Sequence, residues 1–396
     1  MKRSMKPKIS GKNLYKIFGN DPSMALSLLS SGKSKDQIYE TTGQAVGVHD
    51  VTFTVVEGEI FVVMGLSGSG KSTLVRMING LIKPSAGEIL IDGMDVANCS
   101  EEDLRNIRRE KVAMVFQHFA LFPHKTVAEN VAFGLKIRGV KQAERRERAQ
   151  AALEQVGLGA RADSYPDELS GGMQQRVGLA RGLASEPEIL LMDEPFSALD
   201  PLIRSDMQQE LLELQRSLRK TIVFITHDLN EALTLGNTIA IMRNGAIVQT
   251  GSAEEIVGSP ADDYVSAFTR DIDRSLVFKA DSIARAPGTI DIGSNDLSSA
   301  IARMEQVGAD AVHVLDGDRL AGVITYQAAN AAFRDGMTLE SVVSHDFPTA
   351  SPQARLFDLY PLAGAGLPIA LTDETGRLTG VVRPQDVFRQ LAGERE

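Results

Sequence analysis

Gly65-Leu66-Ser67-Gly68-Ser69-Gly70-Lys71-Ser72-Thr73 follows the continuous apolar run Ile60–Met64 and leads into a segment with Leu74, Met77 and Ile78 on one helical face. A strand, a glycine-rich loop spelling G-x-x-x-x-G-K-[ST] and a helix together make a phosphate-binding loop. Its glycines let backbone N–H groups converge on an anion without Cβ clashes. The helix that begins near Lys71 adds the positive end of its dipole. Lys71 reaches the β- and γ-phosphates of a nucleotide, and Ser72 is placed to ligate Mg²⁺.

Outward from that loop, the strand Ile189–Met192 ends in Asp193-Glu194. In a P-loop fold an Asp at such a strand end holds Mg²⁺ through the metal's water shell. The adjacent Glu is placed to polarise an attacking water. Taken alone, an acidic pair at a strand end is as often a solvated terminus; downstream of Lys71 it becomes a strong signal. Further strands are expected at Val51–Val56, Glu88–Ile91, Val112–Phe116 and Ile222–Thr226, and helices at Gln142–Gln155 and Pro201–Leu218. Thr238–Thr250 reads as a hairpin turning at Asn244-Gly245. Alternating helices and apolar strands imply a mostly parallel sheet covered on both faces.

The chain is 396 residues long, enough for two or three domains. Its net charge of −10 disfavours nonspecific binding along a row of phosphates, so no nucleic acid polymer is expected as a partner. One cysteine, Cys99, excludes an intrachain disulfide and a cysteine-based zinc site. The basic start MKRSMKPKIS has no apolar core behind it and does not read as a signal peptide. No apolar run nears the roughly 18 residues needed to span a bilayer, so a membrane role comes through a partner.

Four more features complete the order along the chain. Gln117 follows the strand Val112–Phe116, and Leu169-Ser170-Gly171-Gly172-Met173-Gln174-Gln175-Arg176 opens a helix as a second anion site. Ser197-Ala198-Leu199-Asp200 follows the carboxylates, and His227-Asp228 ends the strand Ile222–Thr226. This ordered set resembles the nucleotide-binding subunit of ABC transporters over roughly residues 10–255. The resemblance implies ATP and Mg²⁺ as cofactors and a head-to-tail dimer with a second copy of the chain. Gly65, Ser67, Gly68, Ser69, Gly70, Lys71, Ser72 and Thr73 then bind the phosphates in cis, while Ser170, Gly171 and Gly172 act in trans. Gln117 and Asp193 join Ser72 around the metal and water, Glu194 is the general base, and His227 senses the γ-phosphate. Phe18, in Leu14–Gly19, matches the aromatic residue that stacks on adenine; a core aromatic is the alternative. The apolar stretch Phe119–His124 is suited to receive a helix from a partner, with packing inside the helical subdomain as the alternative.

The stretch Met24–Gly47, containing GKSKDQI, together with DPLIRSDMQQEL and the C-terminal segment, resembles more narrowly the ATP-binding subunit of importers for quaternary amine osmoprotectants. That family takes up glycine betaine, proline betaine or choline through an integral-membrane permease served by a periplasmic or lipid-anchored binding protein. The resemblance places this chain peripherally on the cytoplasmic face of the bacterial inner (plasma) membrane.

The last 121 residues hold one lysine, Lys279, and carry −6 of the net charge. Arg319-Leu320-x-Gly322-Val323 returns 58 residues later as Arg377-Leu378-x-Gly380-Val381, which suggests two similar half-domains. The repeats resemble tandem CBS domains, implicated in such importers in regulation by ionic strength or nucleotide. Thr325 survives in the first copy without the Asp of the nucleotide-binding pattern, and Asp386 in the second with Arg383 in place of Thr. Adenosine binding in the manner of that pattern is therefore not expected, while a cyclic dinucleotide stays a candidate ligand. The expected fold is α/β: a P-loop ABC ATPase domain with a RecA-like core and an α-helical subdomain, followed by a smaller α+β tandem CBS module. The expected boundaries are an N-terminal extension over 1–50, the ATPase domain over 51–265 with its helical subdomain at about 126–183, a linker over 266–278, and CBS repeats over 279–336 and 337–396. The competing reading is a soluble ABC-type ATPase that acts as a regulatory nucleotide switch without a permease.

Overall fold

A computed structural model describes residues 6–117 and 119–392 and divides the chain into two compact units, one ending at Arg270 and one beginning at Asp271. The first part of the basic N-terminal stretch, residues 1–5, lies outside the described residues.

The first unit begins with β1 (Pro7–Phe18), α1 (Pro22–Ser30), α2 (Lys35–Thr42), β2 (Ala45–Val56), β3 (Ile60–Met64), α3 (Lys71–Ile78), β4 (Ala86–Ile91), β5 (Met94–Asp95), α4 (Glu101–Asn106) and β6 (Val112–Val115). A helical stretch follows, with α5 (Val127–Ile137), α6 (Gln142–Gln155) and α7 (Gly171–Leu183). The unit closes with β7 (Ile189–Asp193), α8 (Pro201–Leu218), β8 (Thr221–Thr226), α9 (Leu229–Leu235), β9 (Thr238–Arg243), β10 (Ala246–Gly251), α10 (Ala253–Gly258) and α11 (Asp263–Thr269).

Six strands form one sheet in the order β10-β9-β3-β8-β7-β6, parallel except for the β9–β10 hairpin. Its central strands are buried on both faces, which is why they read as unbroken apolar runs. Alternate residues Phe61, Val63, Val223 and Ile225 share a core with Leu74, Val75, Met77 and Ile78 of α3. The same core takes Ile9, Leu14, Phe53, Ile89 and Ile91 from a second sheet, ordered β2-β1-β4-β5 and antiparallel throughout. That second sheet was not foreseen from the strand pattern. Its pairings join residues as distant as Ile9 and Ile91, and no local signal encodes them.

The sheet also changes the standing of the N-terminus. Residues 7–50, expected as an extension, supply β1 and the first half of β2 and are part of the first unit. Between them, α1 and α2 cover a small core of Ile17, Ala25, Ile38 and Val46. Ser34 and Gln37 form a capping box at the start of α2, and Gly43, in the left-handed region, ends it. The segment 266–278, expected as a linker, contains the end of α11 and a short 3₁₀ turn at Arg274–Leu276.

The second unit repeats one topology. Its first half is β11 (Thr289–Asp291), α12 (Leu297–Val307), β12 (Ala311–Asp316), β13 (Arg319–Thr325) and α13 (Tyr326–Arg334). Its second half is β14 (Thr349–Ala350), α14 (Leu356–Ala363), β15 (Ile369–Thr372), β16 (Leu378–Val382) and α15 (Pro384–Ala392). Each half has a three-stranded sheet with its first pair parallel and its second antiparallel.

Candidate nucleotide site

The loop between β3 and α3 is held against its own sheet. Gly65 has φ +153, and a Cβ there would fall 2.2 Å from the Met242 carbonyl, so only glycine fits. Gly70, also at positive φ, precedes α3, whose apolar face anchors it in the core. Lys71 is buried and donates from Nζ to the carbonyls of Gly65 (2.8 Å) and Leu66 (3.1 Å). Burial pulls its pKa below the ordinary lysine value, against the opposing charges of Glu194 and Asp193. Ser67 and Gly68 are exposed at the loop tip. Ser69 is buried, its hydroxyl without a hydrogen-bond partner and its amide donating to Leu66. Thr73 is half-buried in the first turn of α3.

Folding brings the carboxylates to this loop across 121 residues. Ser72 Oγ donates to Asp193 Oδ1 at 2.9 Å. Glu194 Oε1 lies 3.7 Å from Lys71 Nζ, and Glu194 Oε2 lies 2.9 Å from His227 Nδ1. Parallel pairing of β3 with β8 and β8 with β7 sets their C-terminal ends side by side, which is where these side chains emerge. Glu194 has φ +47, an uncommon conformation for a residue with a Cβ. Its amide donates to the Ile225 carbonyl, so the strained turn is fixed to the strand that carries His227.

The other expected residues stand on other elements. Gln117 is half-buried just beyond β6, and Phe18, at the end of β1, is 43% exposed with Lys16 Nζ 5.3 Å from its ring centroid. Ser170 caps α7 by accepting from the Met173 amide; Ser170 and Gly171 are exposed and Gly172 is buried. Among the described residues no hydrogen bond joins them to the phosphate loop of the same chain.

Three positions escaped the sequence reading. Arg181 of α7 donates to the carbonyls of Phe119 (2.8 Å) and Ala120 (2.5 Å), both at positive φ, and so holds the bend after Gln117. Arg204 of α8 donates to Asp228, and Glu231 accepts from the Thr226 hydroxyl, so the strand end bearing His227 is tied to α8. Burial raises the pKa of Glu231. A charged residue inside an apolar helical stripe was the available signal for Arg181, but its carbonyl partners lie 61 and 62 residues away. Phe122 packs on Phe133 at 4.5 Å, which makes this part of Phe119–His124 internal packing.

In the second unit, strands of both halves border a cleft of about 610 Å³ lined by His313, Thr325, Tyr326 and Arg383 among others. Arg285 and Arg383 each donate twice to the Asp386 carboxylate, at 2.9–3.2 Å. Burial works to raise the Asp386 pKa, but these four bonds outweigh it and hold it at about 2. His313 is buried with its Nε2 unpartnered, and burial lowers its pKa to about 4.

The parallel core, the lysine loop and the paired acids beside a histidine define a P-loop ATPase of the ATP-binding cassette class. Residues 48–197 match the model of the ABC transporter family. The chain is 46% identical over 391 residues to the glycine betaine transport ATP-binding protein OpuAA of Bacillus subtilis, covering 98% of this chain and 93% of that one. It is 47% identical over 398 residues to the glycine betaine/proline betaine transport system ATP-binding protein ProV of Salmonella typhimurium, covering 98% of each. The dimeric structure of MJ0796, a bacterial ABC transporter cassette, superposes with a TM-score of 0.52 at 34% identity, over 62% of this chain and 98% of that one. The chain therefore belongs to the ATP-binding proteins of glycine betaine transport systems, within the ABC transporter ATPases. Among the described residues no helix is long and apolar enough to cross a membrane.

Proposed function

We infer that this chain is the ATP-hydrolysing motor of an importer for glycine betaine or a related quaternary amine. The observation that carries the reading is the cluster of Lys71, Ser72, Asp193, Glu194 and His227 in a chain whose similarity to glycine betaine transport ATP-binding proteins runs nearly end to end.

ATP lies with its phosphates on the Gly65–Thr73 loop and its adenine on Phe18. Lys71 and the amides at the start of α3 neutralise phosphate charge. Ser72 Oγ and Asp193 Oδ1 are hard oxygen donors 2.9 Å apart, a pairing suited to Mg²⁺, with Gln117 as the third ligand. The metal, when bound, neutralises charge that develops on the transferring phosphoryl group. Glu194 takes the proton of the attacking water, and His227, hydrogen-bonded to it, orients the carboxylate and reports the γ-phosphate. Ser170, Gly171 and Gly172 close the site of a second copy in a head-to-tail dimer. The dimer sits on the cytoplasmic face of the bacterial inner membrane beneath a permease, which is served by a periplasmic or lipid-anchored binding protein.

The two β-α-β-β-α halves of the second unit correspond to tandem CBS domains that regulate the motor. A cyclic dinucleotide is the candidate ligand for the cleft. Asp386, the acid of the nucleotide pattern, is already clamped by two guanidinium groups, so a ligand's phosphates rather than its ribose make the polar contacts.

The test is reconstitution. The chain is co-expressed with a candidate permease, placed in vesicles with ATP inside, and supplied with labelled glycine betaine, proline betaine and choline. ATP-dependent uptake of at least one, lost in Lys71→Ala, is expected. ATPase activity in a chain that captures no permease and moves no quaternary amine supports a soluble nucleotide switch instead.

A further inference from the structure

The α1–α2 insert contains a lysine that the nucleotide site has not so far accounted for. Lys35, the first residue of α2, is half-buried and donates from Nζ to the Val46 carbonyl at 2.7 Å. That carbonyl belongs to the Val46–Gly47 peptide of β2, and Gly47 is crowded by the nucleotide site. A Cβ on Gly47 would fall 2.7 Å from Cε2 of Phe18, so the ring lies directly on this residue. The Gly47 carbonyl is also the nearest atom, at 2.5 Å, to a Cβ built on Gly70 of the phosphate loop. Gly245 completes the knot: its Cα lies 3.3 Å from the same Gly70 Cβ, and its own Cβ would meet Lys35 Nζ at 2.5 Å. The Gly245 amide donates to the Ser69 carbonyl at 2.8 Å. One residue, Gly47, therefore backs both the ring expected under adenine and the loop expected under the phosphates, and Lys35 holds the peptide that leads into it. Burial keeps the ammonium's pKa at about 8, with Asp36 opposing the shift. Exposed lysines do not show such desolvation, and it strengthens the bond to the carbonyl.

We propose that Lys35 is a positioning residue for ATP: by fixing the Val46–Gly47 peptide from the insert, it sets Phe18 and the Gly65–Thr73 loop in the spacing that binds nucleotide. The proposal rests on ATP occupying that loop. Lys35 touches neither the reacting atoms nor the carboxylates, so its removal weakens binding and leaves the chemical step alone.

The full chain carrying Lys35→Met is compared with wild type for ATP KM, kcat, affinity for a fluorescent ATP analogue and melting temperature. About a tenfold rise in KM and in analogue Kd is expected, with kcat within about twofold and the melting temperature nearly unchanged. Unchanged KM and Kd overturn the proposal. So does a lowered melting temperature accompanied by loss of kcat and affinity together, since Lys35 then serves the fold alone. If Lys35→Met does not fold, Lys35→Gln, which keeps an N–H donor at shorter reach, is read by the same criteria. Lys71→Met is the control: if it binds the analogue like wild type, the ATP site is misplaced and the fault lies there rather than with Lys35.

Discussion

Glu194 shows how much a single residue's setting decides. Its carboxylate is shared between Lys71 and His227, and its backbone is held at φ +47 by the bond to Ile225. A strained conformation maintained by neighbours is a feature of working sites, because nothing in the local chain favours it. Glu194→Gln keeps size and the ability to meet His227 but cannot take a proton. ATP turnover should fall by about 10²–10⁴-fold while ATP binding persists, giving dimers that close and do not reopen. Steady-state hydrolysis and size-exclusion with ATP measure the two effects; turnover near wild type removes Glu194 from the role of base. Arg181 is a different case, since it acts only on backbone. Without it the Phe119 and Ala120 carbonyls lose their donors, a loss of about 1–3 kcal/mol. Arg181→Met should lower the melting temperature and expose the 117–125 bend to limited proteolysis. Equal digestion rates in the two proteins count against a restraining role.

At the scale of elements, legibility followed the range of the signal. The phosphate loop, the apolar strand ending in Asp193-Glu194 and the helix Pro201–Leu218 are encoded within a few residues each, and all three stand where their patterns put them. Gln142–Gln155 was equally plain, because good helix formers need no tertiary help to declare themselves. The antiparallel sheet was not legible, since β1 finds its partners through burial of Ile9 and Leu14 rather than through a turn. The pairing of Ser72 with Asp193 was expected only through a metal, and the direct hydrogen bond between them emerged from strand register. The repeat in the second unit was visible as a 58-residue shift, but the clamp on Asp386 was not, because Arg285 lies outside the recurring Arg-Leu-x-Gly-Val stretches and 101 residues from Asp386. That clamp has a pH signature. The folded pKa of Asp386, about 2, is below the roughly 3.9 of an unfolded aspartate, so its stabilisation is complete above about pH 4 and is lost as pH falls through 2. Wild-type melting should therefore drop more steeply between pH 5 and pH 2.5 than that of Asp386→Asn, which has no charge to lose. Parallel slopes mean the carboxylate is not clamped in solution.

The whole molecule places an ATPase unit and a repeat unit in one chain, divided after Arg270. Every residue of the Lys71–Glu194–His227 cluster lies in the first unit, while the second has its own cores and its own cleft. A separate core means the second unit can respond to a ligand or to salt without rebuilding the Lys71–Glu194–His227 cluster. Its charge supports a role distinct from membrane docking: −7 with a single lysine offers no broad basic face to anionic lipid. The arginines it does have in the cleft are drawn to the buried Asp386, and guanidinium groups partly open to solvent are accessible to salt and to a competing phosphate. Removing the second unit should then preserve basal ATPase activity and abolish its modulation. The measurement compares full-length and shortened motors with their permease in vesicles, across a salt series and with a cyclic dinucleotide added. The full-length motor should change its rate with salt or with the dinucleotide, and the shortened one should run at a constant, ungated rate. Arg383→Gln in the full chain separates the two stimuli. It should weaken the response to the dinucleotide, which needs the guanidinium, and leave Asp386 paired with Arg285. Superimposable profiles for all three proteins assign the second unit a purely structural part.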